Sequence, residues 1–506
     1  MSLDGILSIA DSGIASVNHA LSVIGQNVAN ASTAGWTREI ANDESSTAAG
    51  QGMGVRITAT TRATQPQLQA AVLAQTATVA GAQTEASALT QIDAAQGTTG
   101  AGDDVASLLG TVQDRLVALE QDPSNAAAQQ QVVGAAQNFA SRLNTLSGAV
   151  GAARQSAQDD AVSQVAALNT ALTGVGALSN QIFAAHAAGQ DTADLQNQRD
   201  AAVAVVAQIV PVSAATQADG TFLLISGGLV LPTGGGTPFA LAAATTGAGV
   251  GYPGTLPGVT LGGRDVTAQL GDGALGADIS LRDKTLPAQQ AGLDQLSQTV
   301  STRFQAQGLS LFTDAGGTVP SSAGPPTQLG YLGYASTIQV DPAVANDPSL
   351  VRDGTGAIAG SATGASAFTP NPVGGPAGST TLIARILTYA FGTEAQAGVA
   401  QPATPTTGLG AGGTVSLAYA APAAIGQFAA SLVGAMSGDV AQANARLGDA
   451  QALGTTLGAK LQTAGGVSID TEMSAMVMLQ NAYAANAKVI GAVQSMWSTL
   501  IAMVQP

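Results

Sequence analysis

The sequence predicts a multidomain α+β protein, with N- and C-terminal helices paired as a coiled-coil inner domain, a long-helix domain, and β-rich outer domains. Three observations support this prediction. Apolar residues at the start of the chain follow a heptad pattern, those at the end follow a helical period, and two interior stretches rich in glycine and proline interrupt helical sequence. The order helix, β, helix, β, helix predicts that both chain ends share one domain and that the middle projects from it.

The amino-terminal residues have the pattern of a coiled-coil seam. Gly5, Gly13 and Gly25 each cost this helix about 1 kcal/mol relative to alanine, so we predict that it is weak alone and packs against partners. The sequence leaves open whether those partners are an internal helix or neighbouring subunits. The apolar positions alternate spacings of four and three: Leu3, Leu7, Ala10, Ile14, Val17, Leu21, Ile24 and Val28.

The carboxy-terminal residues predict a second amphipathic helix. Ser468 or Asp470 can cap its start, and Glu472 in the first turn is favourable beside the positive end of the helix dipole. We predict that residues 1–63 and 466–506 form the terminal coiled-coil domain. The apolar residues of the last helix recur at spacings of three and four: Met473, Met476, Leu479, Tyr483, Ala487, Ile490, Val493, Trp497, Leu500 and Val504.

The interior divides into helical and β-rich segments. Long runs of alanine, glutamine and leucine predict a helical domain made of residues 64–210, 281–308 and 379–465. Short apolar runs among many glycines and prolines predict β-rich outer regions over residues 211–280 and 309–378. Within the first of these, Asp219-Gly220 predicts a hairpin turn.

The composition argues against nucleic-acid partners, cysteine-based sites, a cleaved signal peptide and membrane insertion. The net charge of −16, with lysine only at Lys284, Lys460 and Lys488, predicts no nucleic-acid surface. The absence of cysteine excludes disulfides and thiolate metal sites. The first basic residue is Arg38 and no apolar run reaches about 18 residues, so we expect neither a cleaved signal peptide nor membrane insertion.

The sequence gives no sign of catalysis. Histidine occurs only at His19 and His186, and the acidic pairs Asp103-Asp104 and Asp159-Asp160 fit loops or polar helix faces. No nucleophile-elbow, Walker or metalloprotease pattern is present. We therefore predict no enzyme, with no catalytic, cofactor-binding or metal-binding residue.

A turn rich in polar residues follows the first helix. Asn30 and Thr33 can bond backbone groups released at the helix end, Gly35 can adopt a positive φ, and Trp36 can fold back onto the helix. We interpret the segment as a structural corner that leads the chain into the next layer. Its motif residues are Asn27, Asn30, Thr33, Gly35, Trp36, Thr37 and Arg38.

This corner resembles the amino-terminal signature of bacterial flagellar rod, hook and hook-associated axial proteins, in which Asn-x-x-Asn precedes Thr-x-Gly-aromatic; Trp36 stands where the family usually has tyrosine. A Leu-x-x-Gln-Arg-Asp stretch at residues 195–200 and a returning helix at residues 273–308 resemble the hook-associated protein 1 family. The matching carboxy-terminal signature is carried by Glu472, Met473, Gln480, Tyr483, Asn486, Ala487 and Lys488.

The resemblance implies a structural subunit of the bacterial flagellum at the junction between hook and filament, outside the cell, exported by the flagellar type III apparatus. The implied partners are further copies in a helical ring or tube, the hook protein below, hook-associated protein 3 above, and a cytoplasmic export chaperone. The last helix, with Asn486 added to its apolar positions, would serve subunit packing and chaperone binding. The alternatives are another axial protein such as a hook subunit, or a secreted β-rich adhesin or enzyme.

Overall fold

The computed structural model describes residues 3–33, 35–48, 51–97, 102–217, 220–322 and 324–504. Its α-helices are α1 Leu3–Ala29, α2 Pro66–Gln96, α3 Val105–Gln121, α4 Ala126–Ala187, α5 Ala193–Ile209, α6 Ala274–Ser280, α7 Leu286–Ala306, α8 Pro342–Asn346, α9 Leu350–Asp353, α10 Thr381–Arg385, α11 Ile425–Gly465 and α12 Ile469–Val504. Its strands are β1 Glu39–Ala48, β2 Gln51–Arg62, β3 Ser213–Thr216, β4 Phe222–Ser226, β5 Leu229–Val230, β6 Phe239–Ala240, β7 Thr260–Leu261, β8 Arg264–Asp265, β9 Phe312–Thr313, β10 Gln339–Val340, β11 Glu394–Gln396 and β12 Val399–Ala400. The fold is the predicted α+β class, with long helices and small sheets.

A helical body forms around one large core. Helices α2, α3, α4, α7 and α11 contribute leucine, valine and alanine side chains to it. At its centre Phe139, Phe304, Phe312 and Phe391 meet edge to face, with ring centroids 5.4 to 5.6 Å apart. Because the chain has only nine phenylalanines, this cluster holds much of the bulk of the core and fixes how the helices pack.

Helix α4 runs through two cores. Its residues from Val132 to Ala157 belong to the helical body, and those from Ala161 to Val175 belong to a second core. Helix α4 is long and apolar enough to cross a membrane, a criterion of length and composition that buried core helices of soluble proteins also meet. This finding corrects the expectation that no segment reaches that length, although many apolar residues of α4 lie in the two cores.

A β lobe forms around the second core. Strands β3, β4 and β5 make one antiparallel sheet, and β6, β7 and β8 make another. Thr216 faces Phe222 across the predicted hairpin, and Gly220 has φ 87°. Asp219, the other residue predicted for this turn, lies outside the described residues.

Two buried arginines tie the β lobe to the helical body. The Arg154 guanidinium donates to the carbonyl oxygens of Arg282, Gly247 and Val250 at 2.8 to 2.9 Å. The Arg282 side chain is fully buried and pairs with Asp283 at 2.7 Å. A buried cation without partners is costly. These hydrogen bonds therefore hold the β-lobe loop that contains Gly247 and Val250 in one position against α4.

The second predicted β region differs from the expectation. Residues 309–378 contain the two short strands β9 and β10, two short α-helices and two 3₁₀ turns. Phe312, Tyr334, Val344 and Val351 from this segment are buried in the core of the helical body. The glycines and prolines of residues 309–378 therefore belong to an irregular segment that packs on the helical body. The prediction of an outer β-rich domain over these residues was wrong.

A terminal module is made of α1, the β1–β2 hairpin and α12. The hairpin was missing from the sequence prediction, which placed only helix and corner within residues 1–63. β1 and β2 pair antiparallel with two irregularities in register. The hairpin packs along α1, while α12 packs along another side of α1.

Candidate assembly interface and corner segment

The terminal helices α1 and α12 run antiparallel. Asn486 of α12 lies against Gly13 of α1, where a Cβ atom would come within 2.8 Å of the Asn486 amide nitrogen. Near the other end of the pair, Arg38 donates to Glu472 at 2.5 Å. The described part of α1 starts at Leu3, ten residues before Gly13. Because the two helices are antiparallel, the last turns of α12 extend past Leu3.

Helix α1 is enclosed by its two neighbours in the module. On the hairpin side, the Ser12 hydroxyl accepts from the Val55 amide at 3.1 Å, and the Ser16 hydroxyl donates to Asp43 at 2.5 Å. Of the eight predicted seam positions, Ala10, Val17 and Ile24 are buried, Leu7 is exposed, and four are half-buried: Leu3, Ile14, Leu21 and Val28. The predicted seam therefore faces protein along most of its length.

The predicted positions of α12 divide into two sets. The first set faces α1: Val493 is buried, and Met476, Leu479, Asn486 and Ile490 are half-buried. The second set is exposed: Met473, Tyr483, Ala487, Trp497 and Leu500. Trp497 and Leu500 are exposed because they lie beyond the start of α1. Val504 ends the helix, and its side chain lies outside the described residues.

Exposed apolar side chains are concentrated on α12. Among the described residues, eleven of the twenty-one large exposed apolar side chains belong to this one helix. They form the α12 apolar surface: Ile469, Met473, Val477, Met478, Tyr483, Val489, Met496, Trp497, Leu500, Ile501 and Met503. Such a concentration of exposed apolar side chains on one helix is typical of a surface that another protein covers.

The corner segment is built around Asn27. This fully buried side chain accepts from the Glu39 amide at 2.9 Å and donates to the Glu39 carbonyl oxygen at 2.8 Å. The Trp36 indole lies over the helix end, 3.5 Å from the same side chain, and Gly35 has φ 80°. Asn30 donates to the Gln26 carbonyl oxygen. Asn27 thus holds the start of the hairpin against the end of α1.

The same corner is fastened to α5, a helix of the second core that packs against α4 and α2. Asn197 accepts from the Thr37 amide at 3.3 Å and from Arg62 at 3.0 Å, and it donates to the Thr37 carbonyl oxygen and to Glu39. Arg62 also pairs with Asp200 at 2.7 Å. These residues make one polar interface, the α5 latch, defined by Thr37, Glu39, Arg62, Asn197 and Asp200.

Helix α5 holds the β lobe as well. The Arg199 guanidinium stacks over the Phe222 ring at 3.8 Å from its centroid. The Leu-x-x-Gln-Arg-Asp stretch therefore contacts two regions: Asp200 pairs with Arg62 of the terminal module, and Arg199 packs on Phe222 of the β lobe. The sequence analysis used this stretch only for the resemblance and did not predict these contacts.

Glu39 has an unusual electrostatic environment. Its side chain is buried, and its pKa is raised to about 7 by burial first and then by the nearby charges of Asp194 and Asp191. The hydrogen bond from Asn197 and the charge of Arg62 oppose this rise only in part. The corner residue Glu39 was not among the predicted site residues, because its burial depends on α5, far away in the sequence.

The described residues contain no group of three or more histidine, cysteine or acidic side chains placed to hold a metal ion. Asp104, from one of the acidic pairs, caps α3 by accepting from the Ala106 and Ser107 amides. His19 contacts the Thr60 hydroxyl at 3.4 Å. In the part of the chain that the structure describes, these polar groups serve local structure.

Comparisons with known proteins agree with this architecture. Residues 89–319 match the model of the flagellar hook-associated protein FlgK helical domain. Residues 464–503 match the model of the flagellar basal body rod FlgEFG protein C-terminal region. A comparison with curated proteins finds no match.

Among solved structures, the chain is similar to the flagellar hook junction protein FlgK from Burkholderia pseudomallei. The identity is 25%, the TM-score is 0.39, and the match covers 50% of this chain. It covers 45% of that protein, so this chain matches less than half of its length.

Residues 89–319 and 464–503 are similar to two regions of flagellar axial proteins, and the paired terminal helices and the corner agree with that class. Within that class, the helical region over residues 89–319 is similar to the helical domain of the FlgK family, the family of hook-associated protein 1.

Proposed function

We propose that this chain is a structural subunit of the bacterial flagellum that forms the junction between hook and filament, and that its terminal helices pack against further copies. The observation that carries the proposal is the α12 apolar surface. Burying apolar area releases about 25 cal/mol per Å², so eleven exposed large side chains are a strong drive for association. Copies arranged head to tail, with non-identical contacting surfaces, can form an open helical layer.

We also propose specific binding partners for this subunit. The hook protein would contact the layer from below and hook-associated protein 3 from above. Before export through the flagellar type III apparatus, a cytoplasmic chaperone would cover α12, because an exposed apolar helix is prone to aggregation. The chain would act outside the cell without enzymatic activity, and the corner would set the path from the inner helices to the helical body.

A gene deletion tests the place of the protein in the flagellum. Electron microscopy of the deleted strain should show complete hooks without filaments, with flagellin lost to the medium. Missing hooks would instead place the protein in the rod or hook. Normal filaments would contradict any essential axial role.

A variant pair tests the surface that carries the proposal. The double substitution Trp497→Ser and Leu500→Ser should leave the monomer folded and abolish its incorporation into flagella. The matched control, Val230→Ser and Leu329→Ser, removes two similarly exposed apolar side chains elsewhere. If the control variant fails to assemble and the α12 variant assembles, the surface has been assigned wrongly.

A further inference from the structure

The α5 latch contains a buried acid that has little to compensate a negative charge. Glu39 is 3% exposed, and its Oε1 accepts from the Asn197 amide at 3.0 Å. Arg62 directs its own hydrogen bonds to Gln196, Asn197 and Asp200. The Arg62 charge, which favours an ionised Glu39, is therefore already paired with another carboxylate.

The other charges that face Glu39 are unfavourable to its ionised form. Asp191 and Asp194, at the start of α5, both repel a negative charge on it. On the module side, Arg38 precedes Glu39 in the chain and is paired with Glu472 of α12. A neutral Glu39 avoids the charge penalty, whereas an ionised Glu39 is a desolvated charge facing two like charges.

We propose that the α5 latch is proton-linked: the terminal module docks on α5 with Glu39 neutral, and ionisation of Glu39 loosens the docking. The latch would then control how readily the terminal module changes its angle to the helical body. This property belongs to the single chain and does not depend on the proposed place in the flagellum.

The sign of the pH dependence follows from the pKa of Glu39. The docked pKa of about 7 lies above the ordinary value of 4.5. Docking is therefore fully favoured below pH 4.5 and weakens as the pH rises through 7. For these two pKa values the docking constant should fall about 70-fold between pH 5 and pH 8.

The readout must be local, because the fold contains other buried acids. Burial raises the pKa of Asp278 and of Asp294 to about 7 as well, so global stability would mix three titrations. Hydrogen exchange of the corner is specific, since the Thr37 amide is bonded to Asn197 across the latch. We would follow a peptide covering residues 36–40 in the full-length monomer, correcting for the intrinsic pH dependence of exchange.

In the wild-type chain, corner protection should fall about 70-fold between pH 5 and pH 8. In Glu39→Gln it should stay high at both pH values. The matched control Glu44→Gln changes an exposed glutamate of the same strand, paired only with Arg56 among the contacts described, and should keep the wild-type pH dependence. Protection that is independent of pH in the wild type, or unchanged pH dependence in Glu39→Gln, would overturn the proposal.

Two further measurements keep the test decisive if Glu39→Gln does not fold. Asp194→Asn removes one of the repelling charges, so the midpoint of the transition should move to lower pH. Carbon NMR of labelled glutamate should show one carboxyl that titrates near pH 7 in the wild type. A Glu39 carboxyl that titrates near 4.5 in the docked chain would refute the latch directly.

Discussion

The helical body and the terminal module are both built from long alanine-rich helices, but their apolar residues face different environments. In the body, residues such as Phe304, Leu293 and Val300 have no exposed surface. In the terminal module, Trp497 and Leu500 of α12 are about half exposed. The body completes its core within one chain, whereas the module has apolar area left over for other chains.

The difference teaches where the stability of each region comes from. The body gains from close packing, which a monomer already has. The terminal pair meets along one seam with small residues at close approach, including Gly13 against Asn486. Such a pair buries few side chains per ordered residue, so under the proposed function most of its final stability would come from neighbouring copies.

Hydrogen exchange of the monomer gives the largest expected contrast. Amides of α7 in the body should exchange only through global unfolding. Amides of α1 over Leu3–Val28, and those of α12, should open locally at a free energy lower by about 3 kcal/mol or more, which is roughly a 150-fold difference in protection. Equal protection in α1 and α7 of a dilute monomer would break the comparison.

Phe304→Ala should cause the largest loss among single substitutions. Phe304 is fully buried and contacts both Phe312 and Phe391. Deleting this ring should lower the free energy of unfolding by about 3 to 5 kcal/mol, measured by denaturant titration. Phe183→Ala is the matched control, because Phe183 is 63% exposed on α4, and it should change stability by less than about 0.5 kcal/mol.

Asn197→Ala should have an intermediate effect confined to the latch. The buried amide makes four hydrogen bonds to the corner and Arg62, and its loss leaves buried groups unpaired. Docking of the terminal module should weaken by about 1 to 3 kcal/mol, seen as faster exchange of residues 36–40. Gln198→Ala, which removes an exposed side chain bonded to Asp194, should leave this exchange unchanged. Loss of protection throughout the helical body would show that Asn197 acts beyond the latch.

The sequence predicted the elements whose signal is local. The heptad spacing located α1, and Ser468 was one of two predicted caps for α12, which begins at Ile469. Gly35 adopts the positive φ expected of it. Each of these features depends on neighbours within about seven residues, so a pattern in the sequence is sufficient to find it.

The parts that were missed depend on distant partners. The β1–β2 hairpin is polar and glycine-containing, and its strands are held by serines of α1 that no periodicity reveals. The α5 latch joins Thr37 to Asn197, 160 residues apart. Residues 309–378 look like a separate β region because glycine and proline interrupt them, but Phe312 and Tyr334 belong to the body core. Only the three-dimensional packing decides these cases.

Substitutions at two glycines of α1 should give the smallest changes in stability, and these changes should differ between the two sites. At Gly25 a Cβ would meet nothing within 4 Å. Gly25→Ala should therefore stabilise α1 by up to about 1 kcal/mol through helix propensity. At Gly13 the Cβ would come within 2.8 Å of the Asn486 side chain, so Gly13→Ala should lose most of that gain.

A double substitution separates the gain in helix propensity at residue 13 from the steric clash with Asn486. In Gly13→Ala with Asn486→Ala the obstruction is removed, so the stabilisation of α1 should exceed the sum of the two single effects, as a double-mutant cycle measures. The readout is exchange of α1 amides in the monomer, relative to α7 in the same sample. Additive effects would mean that α12 does not lie against Gly13 in solution, and the terminal pair would then form only among neighbouring copies.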